Sequence, residues 1–313
     1  MKPVIVFPDT SFFSENGLKE LKSLGSVYTY KEPPITEQEV ISRTKQADII
    51  IPAWAKINPN VIDNSKNLKF IIVPSVGYDW IDVKYAAKKK ISTLNCPTAN
   101  SEAVANHTVA LILALTRRLK EANLALEKGE WKQLAYMGSE LQNKTIGIIG
   151  YGNIGKRVGH IATLLGMKLK YADAGSTEKE VDDIISTSDI ISLHLPLTEK
   201  TEKIINERRV NLMKNGSYLI NTSRGKIIDQ KALIHALKEG KLAGAGLDVF
   251  EREPSQKEEM KISEEIIELA KMPNVITTPH MAFNTKETLS RLEEEIISNV
   301  RSCMAGKPIN TVN

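Results

Sequence analysis

Three side chains with the chemistry of proton transfer and anion binding stand just beyond apolar runs. Arg224 follows GSYLINTS and precedes a glycine, Glu253 lies in EREP after AGAGLDVF, and His280 comes directly after NVITTP. An imidazole gains or loses a proton near neutral pH, and an adjacent carboxylate favours its protonated form. A guanidinium between a small serine and a glycine is suited to reach into a cleft and hold an anion. Singly, each has an inert alternative: Arg224 in a surface ion pair, Glu253 as a solvated loop carboxylate, His280 as a satisfied core residue. Together at three strand ends they form the constellation that a proton-transfer site needs, provided the fold makes them converge.

The elements that must position them alternate. Short β-rich runs, VIVF (4–7), SVYTY (26–30), DIII (48–51), FIIV (70–73) and ISTL (91–94), are separated by amphipathic segments. This is the βαβ signature of a parallel sheet covered on both faces. A second series follows: TIGIIG (145–150), KLKYAD (168–173), DIISLHL (189–195), GSYLIN (216–221), AGAGLDVF (243–250) and NVITTP (274–279). The expected fold is α/β with two doubly wound parallel sheets and a boundary near residue 98. Between the series, Pro97 ends a strand, Asn100 or Ser101 can cap a helix, and Glu102 sits in its first turn. That helix, roughly 101–118, is apolar on nearly every side and is expected to be buried, between domains or between subunits. Beyond Pro279 only the helical pattern TKETLSRLEEEIISNVRSCMAGK remains. A lone terminal helix needs a surface, and crossing back to the first sheet would make that domain discontinuous.

In open α/β sheets ligands bind outside the carboxyl ends of the strands, and one such end carries a glycine pattern. Gly150, Gly152 and Gly155 form G-x-G-x-x-G directly after an apolar strand and before a helix that ends at Gly166. The first glycine permits the tight turn, the second lets a pyrophosphate approach the backbone, and the third lets helix and strand pack. Asp173, at the end of the next strand, is placed to bind the hydroxyls of an adenosine ribose, and no arginine follows it in ADAGSTE. A 2′-phosphate would meet that unpaired charge, so the expected cofactor is NAD rather than NADP. The histidines sort on the same principle. His107, His160 and His235 fall inside helical patterns and read as packed or solvated, His194 in SLHLPLT is near enough to a strand end to line the cofactor cleft, and His280 is the acid/base candidate. Asp248, within an apolar run, needs a hydrogen-bond partner, for which a carboxamide would serve.

Composition narrows the class. The chain has 313 residues, 42% apolar, enough for a sizeable core and two domains. Its formal charge is +4, but the basic residues are scattered among 38 acidic ones, so no nucleic-acid surface is expected. No apolar run of about 18 residues would span a membrane, and the start MKPVIVFPDTSFF lacks the pattern of a signal peptide. Cys96 and Cys303 are far apart and without metal-ligand spacing. Structural thiols in a reducing cytoplasm, and no metal site, are expected.

The chain resembles the D-isomer-specific 2-hydroxyacid dehydrogenase family. The resemblance rests on SVGYDWID (75–82), NHTVALILAL (106–115), GYGNIG (150–155), HLPLTEKT (194–201), the stretch from NTSRGKIID to DVFEREP (221–254), TPHMAFNT (278–285) and the ending GKPINTVN. It implies a homodimer, here expected through the 101–140 region, of two-domain subunits. A Rossmann NAD domain over 99–284 is inserted into a discontinuous flavodoxin-like substrate domain, 1–98 and 285–313. It further implies that Arg224 holds the carboxylate of a small anionic 2-oxo or 2-hydroxy acid and polarises its carbonyl, that His280 is the acid/base, and that Glu253 pairs with it. Asp248 corresponds to the contact with the nicotinamide carboxamide, and Asn153 and Ile154 to loop positions over the pyrophosphate. Pro196, Thr222 and Ser223 correspond to further cofactor contacts, and the Val76 and Gly77 N–H groups to those that receive the substrate carboxylate.

The sequence departs from the family pattern at Asn106, where glutamate is common, and at Ser75, where many members have glycine. Phe283 replaces a smaller residue and, with Trp54, either narrows the substrate pocket or packs in the core. Within the family, Glu253 argues against formate dehydrogenase activity, which goes with glutamine, and 3-phosphoglycerate dehydrogenase is the main alternative. From another class, an NAD-sensing corepressor-like binding protein is disfavoured because no long disordered tail or added interaction region is present.

Overall fold

Parallel strands covered on both faces become continuous apolar runs, and two sets of them form two sheets in the computed structural model, which describes residues 2–10, 12–254 and 261–313. In chain order the first set comprises β1 (Val4–Thr10), α1 (Glu15–Leu24), β2 (Ser26–Tyr30), α2 (Glu37–Thr44), β3 (Ile49–Ile50), α3 (Pro59–Asn64), β4 (Phe70–Ile72), α4 (Val83–Lys88) and β5 (Ser92–Leu94). The second comprises α5 (Ser101–Thr116), α6 (Leu119–Glu127), β6 (Thr145–Ile149), α7 (Asn153–Leu164), β7 (Lys168–Ala172), α8 (Glu178–Thr187), β8 (Ile190–Leu193), α9 (Glu207–Leu212), β9 (Ser217–Asn221), α10 (Gln230–Lys238), β10 (Leu242–Leu247), α11 (Glu264–Lys271) and β11 (Val275–Thr277). The last helix is α12 (Lys286–Met304). Two compact units result: Met1–Asn100 with Asn284–Asn313, and Ser101–Phe283.

In the first unit the strand order is β2-β1-β3-β4-β5, all parallel. Helix starts are set by side chains that satisfy first-turn N–H groups: Ser14 caps α1, and Thr36 with Glu39 forms a capping box on α2. The surface that α12 needs is supplied here. Its Leu292, Ile296, Ile297 and Val300 join Ile5, Phe7, Leu21 and Leu94 in one core. Buried Asn299 donates to the Asn95 carbonyl at 2.9 Å and accepts from Asn310 at 3.1 Å, and Val312 N donates to the Thr93 carbonyl, so the chain end is sewn to the β5 edge. Cys96 and Cys303 are buried in this core. Burial pushes both thiols up, Cys303 to about 11, which makes them inert.

In the second unit the order is β11-β10-β9-β8-β6-β7, again all parallel. Helix α5 ends at Thr116, two residues short of the expected limit, and Arg118 turns left-handed with φ 52° before α6. Its Leu111, Ile112 and Leu115 are buried, while Leu113 keeps 38% of its surface. Two glycines of β10 let it lie close. A β-carbon on Gly246 would be 3.0 Å from Leu111 Cβ, and one on Gly244 would be 3.3 Å from Leu115. Strand β10 stops at Leu247, so Asp248 is the first residue beyond it rather than a strand residue. Likewise β11 stops at Thr277, leaving Thr278, Pro279 and His280 past its carboxyl end.

Candidate active site

Strand β6 runs into the turn Gly150, Tyr151, Gly152 and then into α7. Gly150 has φ 101°, and a β-carbon there would lie 2.4 Å from the His194 carbonyl oxygen. One on Gly155 would lie 2.2 Å from the Gly150 carbonyl oxygen, so close packing of α7 on β6 requires glycine. At Gly152 a β-carbon would meet nothing within 4 Å, which marks open space at the amino end of α7. Gly152 caps α7 without a side chain, so first-turn N–H groups and the positive end of the helix dipole, around Asn153 and Ile154, lie at that space. Asp173 stands exposed just past β7, its Oδ1 accepting from Gly175 N at 3.0 Å. Tyr171 stacks on Tyr151, centroids 3.9 Å apart, tying the turn to the strand that carries the acid. A diphosphate at the open glycine and a ribose diol at Asp173 fit this arrangement.

On the other side of β6, β8 ends at Leu193, and His194 is the first residue past it. Its Nε2 is 2.9 Å from Ser192 Oγ, its Nδ1 has no partner among the described residues, and burial lowers its pKa to about 3. It therefore stays neutral and cannot act as a second acid. Pro196 is exposed two residues on, and its carbonyl accepts from Thr201 Oγ1 at 2.6 Å.

Leu247 of β10 is level with Asn221 of β9 on one side and Thr277 of β11 on the other, so three carboxyl ends lie side by side. Buried Asn221 shapes the turn after β9: its Oδ1 accepts from Ser223 N and Oγ at 3.0 and 2.8 Å, and its Nδ2 donates to the Arg224 carbonyl at 2.9 Å. Arg224 Nη1 donates to the Ser223 carbonyl at 2.7 Å. A β-carbon on Gly225 would lie 1.8 Å from the Phe250 carbonyl, so the small residue after the arginine is what lets the turns after β9 and β10 meet. Phe250 N donates to Glu253 Oε1 at 3.0 Å, and Glu253 Oε2 is 2.8 Å from His280 Nδ1.

The His280 and Glu253 side chains remain 39% and 32% exposed, open to a reactant. Burial pushes the Glu253 carboxyl up. The hydrogen bond and charge of His280, the Phe250 N–H and nearby Arg224 outweigh it, so the group sits below the usual carboxylate range. With Nδ1 committed to this carboxylate, Nε2 is the ring nitrogen left for proton exchange.

His280 has φ 52°, a left-handed backbone that costs a non-glycine residue about 1–2 kcal/mol. Asp248, 1% exposed, surrounds the bend. The carboxamide partner expected for its buried carboxylate is preceded by partners from the chain itself: Thr278 Oγ1 at 2.5 Å, Met281 N at 2.9 Å and Ala282 N at 2.9 Å. His107, read from its helical pattern as packed or solvated, enters this cluster from α5, with Nε2 3.0 Å from Thr278 Oγ1 and 3.7 Å from Asp248 Oδ1. One turn-face away, Thr108 Oγ1 meets buried Thr222 Oγ1 at 2.9 Å. No motif spacing links residues 107 and 278, so their pairing had no local signal in the sequence. Phe283 meets the His280 ring edge-on, centroids 6.3 Å apart.

In the first unit, Val76 and Gly77 follow β4. Asn95 Nδ2 holds the Val76 carbonyl at 2.8 Å and Ser75 Oγ the Gly77 carbonyl at 2.5 Å, while the Val76 and Gly77 N–H groups find no acceptor among the described residues. Trp54 keeps 52% of its surface, so it is not a core residue of that unit.

The chain is similar in sequence and fold to known proteins. The family profile described as D-isomer specific 2-hydroxyacid dehydrogenase, NAD binding domain, matches residues 109–282. The glyoxylate reductase of Thermococcus litoralis is 35% identical, over 100% of this chain and 97% of that protein. The D-lactate dehydrogenase of Aquifex aeolicus, solved with NAD and lactic acid, gives a TM-score of 0.88 at 35% identity over 99% and 98% of the two chains. An acyclic imino acid reductase solved with NADPH and D-Arg gives 0.90 at 32%, over 99% of this chain and 100% of that one. Fold and relatives define an NAD-dependent oxidoreductase acting on CH–OH groups. The chain belongs to the D-isomer-specific 2-hydroxyacid dehydrogenase family.

Proposed function

We propose that the chain reduces a small 2-oxo acid to the D-2-hydroxy acid, and the reverse, with His280 as acid/base, Glu253 as its partner and Arg224 on the substrate carboxylate and carbonyl. The observation that carries this reading is the 2.8 Å contact between His280 Nδ1 and Glu253 Oε2, at carboxyl ends of the same sheet that carries the dinucleotide turn. Bound NADH supplies the hydride. Negative charge then grows on the carbonyl oxygen, where a guanidinium and a proton donor must be waiting. Ionised Glu253 favours the imidazolium, which donates from Nε2 in reduction; in oxidation the neutral ring takes the hydroxyl proton. The N–H groups of Val76 and Gly77 are assigned to the substrate carboxylate. Gly150, Gly152, Asn153, Ile154 and Gly155 are assigned to the diphosphate, Asp173 to the ribose, Pro196, Thr222 and Ser223 to further cofactor contacts, and Asp248 to the nicotinamide carboxamide.

Glyoxylate and hydroxypyruvate are the preferred acids. The identity to a protein named glyoxylate reductase over nearly its whole length supports this. NADH oxidation by glyoxylate, hydroxypyruvate, pyruvate and 3-phosphohydroxypyruvate tests it. Turnover of the first two is expected, preference for the phosphorylated acid points to phosphoglycerate oxidation, and no turnover of any of the four rejects the proposed substrates. NADPH tried alongside tests the exclusion assigned to Asp173.

A second copy of the chain is the partner proposed for the 101–140 region. Leu119, Leu126, Trp131, Leu134 and Met137 are between 55% and 85% exposed there, an apolar surface that association would cover. Sizing in solution should return twice 34.8 kDa, and a monomer would reject the assignment.

A further inference from the structure

The left-handed bend at His280 must be held by something outside His280 itself. Asp248 holds it from both ends. Its backbone carbonyl accepts from His280 N at 2.8 Å, and its carboxylate accepts from Met281 N and Ala282 N, the two residues that follow. The carboxylate is fixed in turn by the Thr278 hydroxyl at 2.5 Å. That hydroxyl gives its one proton to Asp248, so its oxygen is left to receive one, and His107 Nε2 lies 3.0 Å away. The donors run in one direction, from His107 to Thr278 to Asp248. The helix that carries His107 lies close on β10 here, with Leu111 seated against Gly246.

We infer that Thr278, backed by His107, is a positioning residue for the reaction: it fixes the Asp248 carboxylate, which holds the bend that aims His280 at Glu253. This rests on the reading of His280 as the acid/base. Without the hydroxyl, Oδ1 keeps only the Met281 N–H and Oδ2 only the Ala282 N–H, and the carboxylate loses its link to Thr278 and, through it, to His107 of α5. The bend then relaxes and the contact between His280 and Glu253 loosens. Neither Thr278 nor His107 touches a reacting atom in this scheme; the hydroxyl acts through Asp248, while the Thr278 backbone carbonyl separately accepts from His280 N at 3.0 Å.

The test follows the His280 ring by NMR through a pH titration of the whole protein, its signal assigned by loss in His280→Gln. Glu253→Gln is expected to move the His280 midpoint to lower pH in the otherwise native chain. In Thr278→Val that response should shrink to a small remnant, and in Thr278→Ser, which keeps the hydroxyl, it should return. A general loss of stability would not produce this pattern. If Thr278→Val does not fold, His107→Leu removes the same line of donors from its other end and is read in the same way. A full response to Glu253→Gln in folded Thr278→Val or His107→Leu protein overturns the positioning role and leaves the acid/base reading standing. No response in the otherwise native chain overturns the acid/base pairing, and the inference falls with it.

Discussion

Two buried aspartates stand at the carboxyl ends of the two sheets and use the same device to different ends. Asp9, at the end of β1, is fully buried, and its carboxylate accepts from Ala53 N at 3.0 Å and from Trp54 N and Ala55 N at 2.6 Å. Asp248, just past β10, accepts from Thr278 Oγ1, Met281 N and Ala282 N. Each carboxylate ties down a neighbouring strand's exit loop by satisfying N–H groups that would otherwise be buried without partners. The loop on Asp9 has no left-handed residue and bears no histidine or carboxylate, only Lys56, whereas the loop on Asp248 carries a histidine at φ 52°. A buried carboxylate is therefore not by itself a mark of catalysis. What separates the two is whether the loop it holds is strained and bears a group that moves protons.

Replacing each aspartate by asparagine is the sharpest way to break this comparison. In Asp248→Asn, an amide NH2 faces a donor, the bend at His280 is no longer held, and kcat should fall on the order of a hundredfold. Asp9→Asn leaves at least one N–H facing an amide donor, at a cost of about 1–3 kcal/mol in stability without a matching loss of kcat. Steady-state kinetics and thermal melts on both proteins check this, and equal losses of kcat would erase the distinction. A smaller effect concerns the partner of His280. Glu253 is held below the usual carboxylate range, so it stays ionised throughout the neutral region and stabilises imidazolium there. Reduction needs that protonated ring, so Glu253→Gln should move the falling limb of the reductive pH profile to lower pH. An unmoved limb would mean that the contact is structural, as the contacts of Asp9 are.

How much of this was legible beforehand follows from the range of each interaction. The dinucleotide turn was readable because its main requirements are local: Gly150 takes a left-handed φ of 101°, and Gly155 packs on the Gly150 carbonyl within one strand–turn–helix unit. The strand-end positions of Arg224, Glu253 and His280 were readable because apolar runs stop at residues whose chemistry is out of place in a core. Their distances were not, because the meeting of Glu253 and His280 depends on the register of β10 with β11 and on Gly225 pressing against Phe250. His107, read as packed or solvated, is packed, but the strand end on which its ring lands was not legible, since its helical spacing says nothing of it.

The sequence by itself determined the alternation of strands and helices, the cofactor turn with its acid, and the short list of chemically able residues, because periodicity and chain geometry act over a few residues. Only the tertiary structure decided that Asp248 is satisfied by the chain's own Thr278, Met281 and Ala282, and that His280 is bent against its preference. Those outcomes belong to contacts between residues up to 171 positions apart, such as His107 and Thr278, which exist only once the sheets have set which strand ends are neighbours.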